Sequence, residues 1–156
     1  MSTSRLDAVI DALVAACQAD ATLIARGTYV SDGAPVTADA ATEVLVIGGS
    51  PVDADTAAGD GAQSWRTDGG TSASRDAEES VYCYAAASTG DVDVASTRAA
   101  AFAVLAAVED LLRANYSLGL ANVMSVEVSR VSYQLEQYAN GTRVVLPFTI
   151  TVRSVI

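Results

Sequence analysis

Apolar residues recur at three- and four-residue spacing at the start of the chain, at Leu6, Val9, Ile10, Leu13, Val14 and Cys17. That spacing lines one face of an α-helix and predicts a helix over about 4–19. Asp7 and Asp11 fall on the opposite face. Ser4 is placed to cap the free amides, and a carboxylate three residues later suits the positive helix end. Residues 22–37 mix apolar residues with the turn signals Ser31-Asp32-Gly33-Ala34-Pro35. The run Glu43-Val44-Leu45-Val46-Ile47, stopped by Gly48-Gly49, reads as a strand buried on both faces. Ser80 to Ala87 alternates, with Val81, Cys83 and Ala85 on one face and Tyr82 and Tyr84 on the other, which predicts a second strand. A second helix is expected over about 95–115, with Asp93 or Ser96 as its N-cap. It would carry Phe102, Leu105, Val108, Leu111 and Leu112 toward a core, and Asn115 and Gly119 would end it. Its other side is mostly Ala, which permits close packing against a sheet or another subunit.

The last third predicts a hairpin. Asn140-Gly141 is the preferred type I′ pair. With those two residues as the loop, Leu135 faces Leu146, Tyr133 faces Phe148 and Val131 faces Ile150, all six on one face. The apolar parity then shifts at Val128 and Val126, and a one-residue bulge near Ser129 and Arg130 restores it. Pro147 lacks an N–H for a further strand. The C-terminal strand is therefore expected to be an edge there or to be locally unpaired, and its end at Val155-Ile156 to invite another chain. The expected fold is α+β: a mixed, largely antiparallel sheet with two helices packed on one face and a C-terminal β-hairpin.

Between Gly48 and Asp76 the pattern lapses. This stretch holds six of the 11 glycines and five aspartates, so little except Trp65 and Val52 can be buried there. Loops of this length in compact domains are uncommon and are usually functional or disordered. A long hairpin flap with the segment around Trp65 as one arm is another arrangement. The full length, 156 residues, suits one domain spanning 1–156.

Composition narrows the chemistry. The chain has 9 basic and 19 acidic residues, a net charge of −10. It therefore lacks the basic footprint of a nucleic-acid binder and the attraction to anionic lipid. It has no His, which removes Ser-His and Cys-His pairs and His-ligated metals. All nine basic residues are Arg, which removes Schiff-base and Walker-type Lys chemistry. Cys17 and Cys83 sit in apolar periodic segments and read as buried free thiols. The start Met-Ser-Thr-Ser-Arg, with Asp7 and Asp11 close behind, does not resemble a secretory signal, and no stretch is long and apolar enough to span a membrane. A reducing, soluble compartment is the expectation.

The candidate sites are sparse. Asp53, Asp55 and Asp60 share one Gly-rich segment, but the EF-hand Gly and terminal Glu are not at their places. Glu78 and Glu79 are adjacent, so on a strand they point to opposite faces and make a poor acid/base pair. Gly48-Gly49 and Gly69-Gly70 match no phosphate-loop spacing. Arg66 and Arg75 are cations in an acidic stretch, suited to ion pairing. Trp65 is the single tryptophan, and a core or flap anchor and an interface contact are both open to it. No catalytic constellation emerges, so no enzyme activity, metal or cofactor is expected.

The order of these features resembles the tail terminator proteins of long-tailed, non-contractile bacteriophages, especially those infecting actinobacteria. The resemblance rests on the helix Leu6 to Cys17, the turn Val30-Ser31-Asp32-Gly33-Ala34-Pro35 and the strand Val44-Leu45-Val46-Ile47-Gly48. It continues through Trp65, Arg75-Asp76-Ala77-Glu78 and Val81-Tyr82-Cys83, then the helix end Val108-Glu109-Asp110-Leu111-Leu112-Arg113 with Tyr116-Ser117-Leu118-Gly119. A C-terminal hairpin ending near Phe148-Thr149-Ile150 completes it. It implies a virion structural protein, made in the host cytoplasm, that caps the head-proximal end of the tail tube as a hexameric ring. Such a ring stops tube polymerisation and forms the head-joining surface. The implied partners are further copies of the chain, the tail-tube protein and a head-completion or connector protein, with DNA passing through the lumen unread.

Within that reading, six copies at −10 each carry −60, and an acidic lumen would keep DNA from sticking. Asp53, Asp55 and Asp60 are the expected lumen or rim carboxylates. Trp65, Arg66, Arg75, Val155 and Ile156 are the expected interface residues. The alternatives are a tail-tube or head-completion subunit, or a small ligand-binding α+β dimer with a cavity beneath the helices. A hydrolase is the weakest reading.

Overall fold

The protein, seen in a computed structural model, is described over residues 3–35, 41–51, 57–65 and 74–156. The apolar stripe read above becomes α1 (Leu6–Ala19), whose Val9, Leu13 and Cys17 are buried. Two short elements that the turn signals masked come next, α2 (Ala21–Arg26) and β1 (Tyr29–Asp32). Asp20 caps α2 through bonds from the Thr22 and Leu23 amides. Then follow β2 (Glu43–Ile47), β3 (Gly59–Trp65), β4 (Arg75–Thr89) and α3 (Val94–Ala114). Asp93 is the N-cap of α3, its carboxylate accepting from Ser96 N–H at 3.0 Å. The chain closes with β5 (Val123–Val131), β6 (Gln134–Tyr138) and β7 (Gly141–Val155).

The strands form one sheet in the order β1-β2-β4-β7-β5, with β3 added to β4 and β6 added to β7. Among the described strands only β1–β2 is parallel. The fold is thus α+β with a largely antiparallel sheet and its helices on one face. β2 and β3 share one side of β4, pairing with Cys83–Ala87 and Arg75–Val81 respectively. The helix-side core gathers Leu13, Leu45, Val81, Cys83, Val104, Val108, Leu146 and Ile150, all nearly inaccessible. A smaller buried group, Val44, Val46, Tyr84, Ala86 and Val145, lies on the opposite face of the sheet.

Three expectations are corrected. The hairpin loop is not Asn140-Gly141. Tyr138 pairs with Gly141 and Leu135 with Val144, so the register is displaced by two residues while the facing is kept. Neither Asn140 nor Gly141 has the positive φ that a type I′ turn needs. Gly141 instead lets β7 start against β4, because a Cβ there would strike the Thr89 carbonyl oxygen. The bulge expected near Ser129 is present between Val128 and Arg130.

Second, β7 is a central strand, not an edge. It pairs with β4 along Thr142–Val155, including Tyr84 with Pro147. The Pro147 carbonyl accepts from Ser132 N–H at 2.7 Å. In a strand the N–H and C=O of one residue point the same way, so the missing donor of Pro147 also faces this side. The β5–β6 strand is broken there, at 132–133, so the proline interrupts the outer ladder and leaves the β4 ladder intact.

Third, Phe102 is not in the core; it is 43% exposed, and Ala101 and Val104 are buried in its stead.

Candidate assembly surfaces

The stretch where the hydrophobic pattern lapses contains β3, which runs back along β4 as a hairpin arm with Trp65 opposite Arg75. Alternation is weak because β3 is exposed along nearly its whole length. Its small residues have a packing reason. Gly61 faces Glu79, and a Cβ at Gly61 would lie 2.8 Å from the Glu79 side chain.

That space lets Glu79 fold inward, with only 2% of the residue exposed. Its carboxylate accepts from Ser4 Oγ at 2.5 Å and from Arg5 N–H at 3.0 Å. Glu79 therefore satisfies donors at the start of α1 and ties that helix to the hairpin. The N-cap position itself is Arg5, with no side-chain cap. Glu78, one residue earlier, points to the open face and pairs with Arg153 at 3.2 Å. The opposite-face argument holds for the two glutamates, but sequence reasoning missed that one of them is structural. The signal was parity: Glu79 falls in the inward series Ala77, Val81, Cys83.

Beyond Glu79 a polar chain fixes the hairpin end. Gln63 Nε2 donates to the Thr3 carbonyl at 2.5 Å, and Arg75 Nη1 donates to Gln63 Oε1 at 3.0 Å. The Arg75 guanidinium stands 4.9 Å from the centre of the Trp65 ring. Trp65 is 64% exposed. A cation–π contact at such a site contributes about 0.5–1 kcal/mol. It holds the ring in one orientation with its other surface open. Trp65 and Arg75 are thus brought together. Arg66, Asp53 and Asp55 lie outside the described residues.

Val155 and Ile156 are not a free edge. Val155 pairs with Asp76, and its N–H donates to the Asn122 carbonyl at 2.9 Å. Ile156 and Arg75 exchange both backbone bonds, at 2.7 and 2.9 Å. Both residues are half-buried, so strand addition has no open ladder to use there.

The face away from the helices is polar and laced with ion pairs. Arg153 reaches Glu78 and, at 3.4 Å, Glu127; Arg143 reaches Glu136 at 3.7 Å. Asp60, the one described member of the expected acidic trio, projects from β3 on this face. It accepts from the Tyr82 hydroxyl at 2.6 Å, a bond that with partial burial pushes the Tyr82 phenol above its ordinary range. A cleft of about 430 Å³ opens beside it, lined by Tyr82, Arg130, Ser132, Pro147 and Pro51 among others. Among the described residues it holds no nucleophile–base pair. Among the described residues no three His, Cys, Asp or Glu side chains are grouped as metal ligands, and no helix is long and apolar enough to cross a membrane. Cys17 and Cys83 are free and buried, and burial pushes both thiols up to about 12.

No protein-family model and no characterised relative matches the chain. Its fold is similar to that of a solved chain in the virion of a native gene transfer agent particle. The TM-score is 0.64 at 21% identity, and the match covers 98% of this chain and 100% of the other.

Proposed function

We propose that the protein is a virion structural component that closes the head-proximal end of a phage tail tube as a ring, six-fold in our reading. The ring stops tube growth and presents the surface that joins the head, while DNA passes through its lumen. The observation that carries this reading is the end-to-end fold likeness to a chain of a gene transfer agent virion, with neither chain left over. The order of sequence features supports the terminator role within that class. The surface chemistry is compatible: an open polar sheet face, an oriented exposed Trp65, and a net charge of −10 that repels DNA passing close by.

A head-to-tail contact between identical chains closes into a ring when its rotation closes. The Trp65–Arg75 hairpin end is the surface we assign to the tube or the head connector. Asp60, with Asp53 and Asp55 of the same segment, is assigned to the lumen or its rim. The test is native mass and negative-stain imaging of the purified protein over a concentration series. Closed six-fold rings support the reading. Long tubes identify a tube subunit, and a stable two-fold dimer points to the ligand-binding alternative.

A further inference from the structure

A chain of side-chain contacts joins the exposed ring of Trp65 to the start of α1. The ring lies against the Arg75 guanidinium. Arg75 Nη1 donates to Gln63 Oε1, and Gln63 Nε2 donates to the Thr3 carbonyl. All three side chains share the helix side of the sheet. Arg75 belongs to the inward series of β4 with Glu79, Val81 and Cys83, and Trp65 and Gln63 stand opposite Arg75 and Ala77 of that series. Both ends of the chain are anchored. Arg75 exchanges both backbone bonds with Ile156. Thr3 is followed by Ser4 and Arg5, which are held by the buried Glu79. Leu6 comes close to β3 as well, its Cδ2 3.6 Å from where a Cβ on Gly59 would stand.

The middle of this chain asks for one kind of group. The Thr3 carbonyl only accepts and the Arg75 guanidinium only donates, so the group between them must do both. A side-chain amide does. A carboxylate has no proton for Thr3, and an amine or guanidinium has no lone pair for Arg75. Gln63 therefore acts as an adapter, its orientation dictated by its two partners. An exposed hydrogen bond contributes little when it must first order its groups. Here β3 and β4 already hold Gln63 and Arg75 in register, and Glu79 already holds the residues after Thr3, so less freedom is lost on closing the bridge.

We infer that Gln63 is a positioning residue that couples the segment 3–6 to the Trp65 surface. Fixing the ring steadies the segment, and an ordered segment holds the ring; such a coupling is reciprocal. A partner seated on Trp65 therefore also holds residues 3–5 down on Glu79. The coupling itself lies within one chain. Its use in assembly rests on the reading that Trp65 meets the tube or the head connector.

The test is hydrogen exchange at the Arg5 N–H, whose acceptor is Glu79, followed by NMR in a double-mutant cycle. Gln63→Glu keeps an acceptor for Arg75 and removes the donor to Thr3, at an exposed position where folding survives. It should quicken Arg5 exchange about threefold to tenfold, the worth of one hydrogen bond. Trp65→Ala should quicken it by about two- to fivefold, the worth of an exposed cation–π contact. Once Gln63→Glu is in place, Trp65→Ala should add nothing. Unchanged Arg5 exchange in Trp65→Ala overturns the coupling. So does an acceleration by Trp65→Ala that is the same with and without Gln63→Glu, because the coupling would then bypass Gln63. Tail tubes added to the protein, with exchange read by mass spectrometry, should slow exchange at Arg5 in the unaltered chain and not in the Gln63→Glu variant. Failure to bind tubes overturns the assembly reading and leaves the coupling standing. Binding that leaves Arg5 exchange unchanged overturns the use of the coupling in assembly.

Discussion

The two faces of the central strands β4 and β7 follow different rules. Toward the helices they present Val81, Cys83, Ala85, Leu146, Phe148, Ile150 and Val152, all buried. Away from the helices they present Glu78, Ser80, Tyr82, Thr149 and Arg153; Tyr82 donates to Asp60, and Arg153 pairs with Glu78 and Glu127. The first face has a covering layer of helices; on the second, the described residues bury the small group around Val46 and Tyr84. Stability is therefore concentrated under the helices. An exposed ion pair contributes about 0–1 kcal/mol, whereas a buried Leu or Ile contributes several times that.

The sharpest way to break this contrast is substitution on the two faces of β7. Ile150→Ala should cost about 2–5 kcal/mol by leaving a cavity beneath α3. Arg153→Ala, on the open face, should cost no more than about 1 kcal/mol, since its partners Glu78 and Glu127 are solvated. Chemical denaturation of both variants checks the pair. Comparable losses would mean that the open face is covered by structure of its own.

Titration separates the faces next. Both cysteine thiols have folded values near 12 against an ordinary value of 9.0. The folded state holds these protons more tightly, so their contribution is complete below pH 9 and is lost as pH rises toward 12. Stability should fall over that window by roughly a kcal/mol per pH unit for each thiol. Cys17→Ser with Cys83→Ala should flatten the slope, which denaturant midpoints at pH 8, 9.5 and 10.5 would read. An unchanged slope would contradict the burial of the thiols.

Glu79 and Glu78 give a smaller contrast within one dipeptide. Glu79→Ala should cost about 1–3 kcal/mol by removing the acceptor of the Arg5 N–H and of the Ser4 hydroxyl. Glu78→Ala should cost about 0.5 kcal/mol or less. Hydrogen exchange at the first turn of α1 should quicken only in the former. Trp65→Ala should also change stability little, within about 1 kcal/mol given the exposure of the ring. Its effect should appear in tail assembly and head joining instead. A variant that assembles and joins normally removes Trp65 from the interface.

Much of the covered face was legible in the sequence. The α1 stripe, the inward series of β4 and the Ser129 bulge all follow from period and parity, because the buried side dictates them. The open face and the edges were not legible. β1 is four residues long and β3 lies exposed, so neither has a buried side to impose alternation. Gly141 was misread because a glycine that permits close approach looks the same in sequence as one that permits a turn. Pro147 was misread because its missing donor can face either neighbour, and only the tertiary pairing decides which. Phe102 was misread because helix periodicity does not say how wide the covered stripe is. It is an exposed residue at the border of that stripe, where Ala101 and Val104 are the buried ones.

The central claim is that this chain caps a tube. The most direct test adds the purified protein to tail-tube subunits as they polymerise and images the products. The account predicts shorter tubes, each carrying one six-fold ring of this protein at one end only, with growth stopped there. Tubes of unchanged length without an end ring, or with the protein incorporated along their walls, would contradict it.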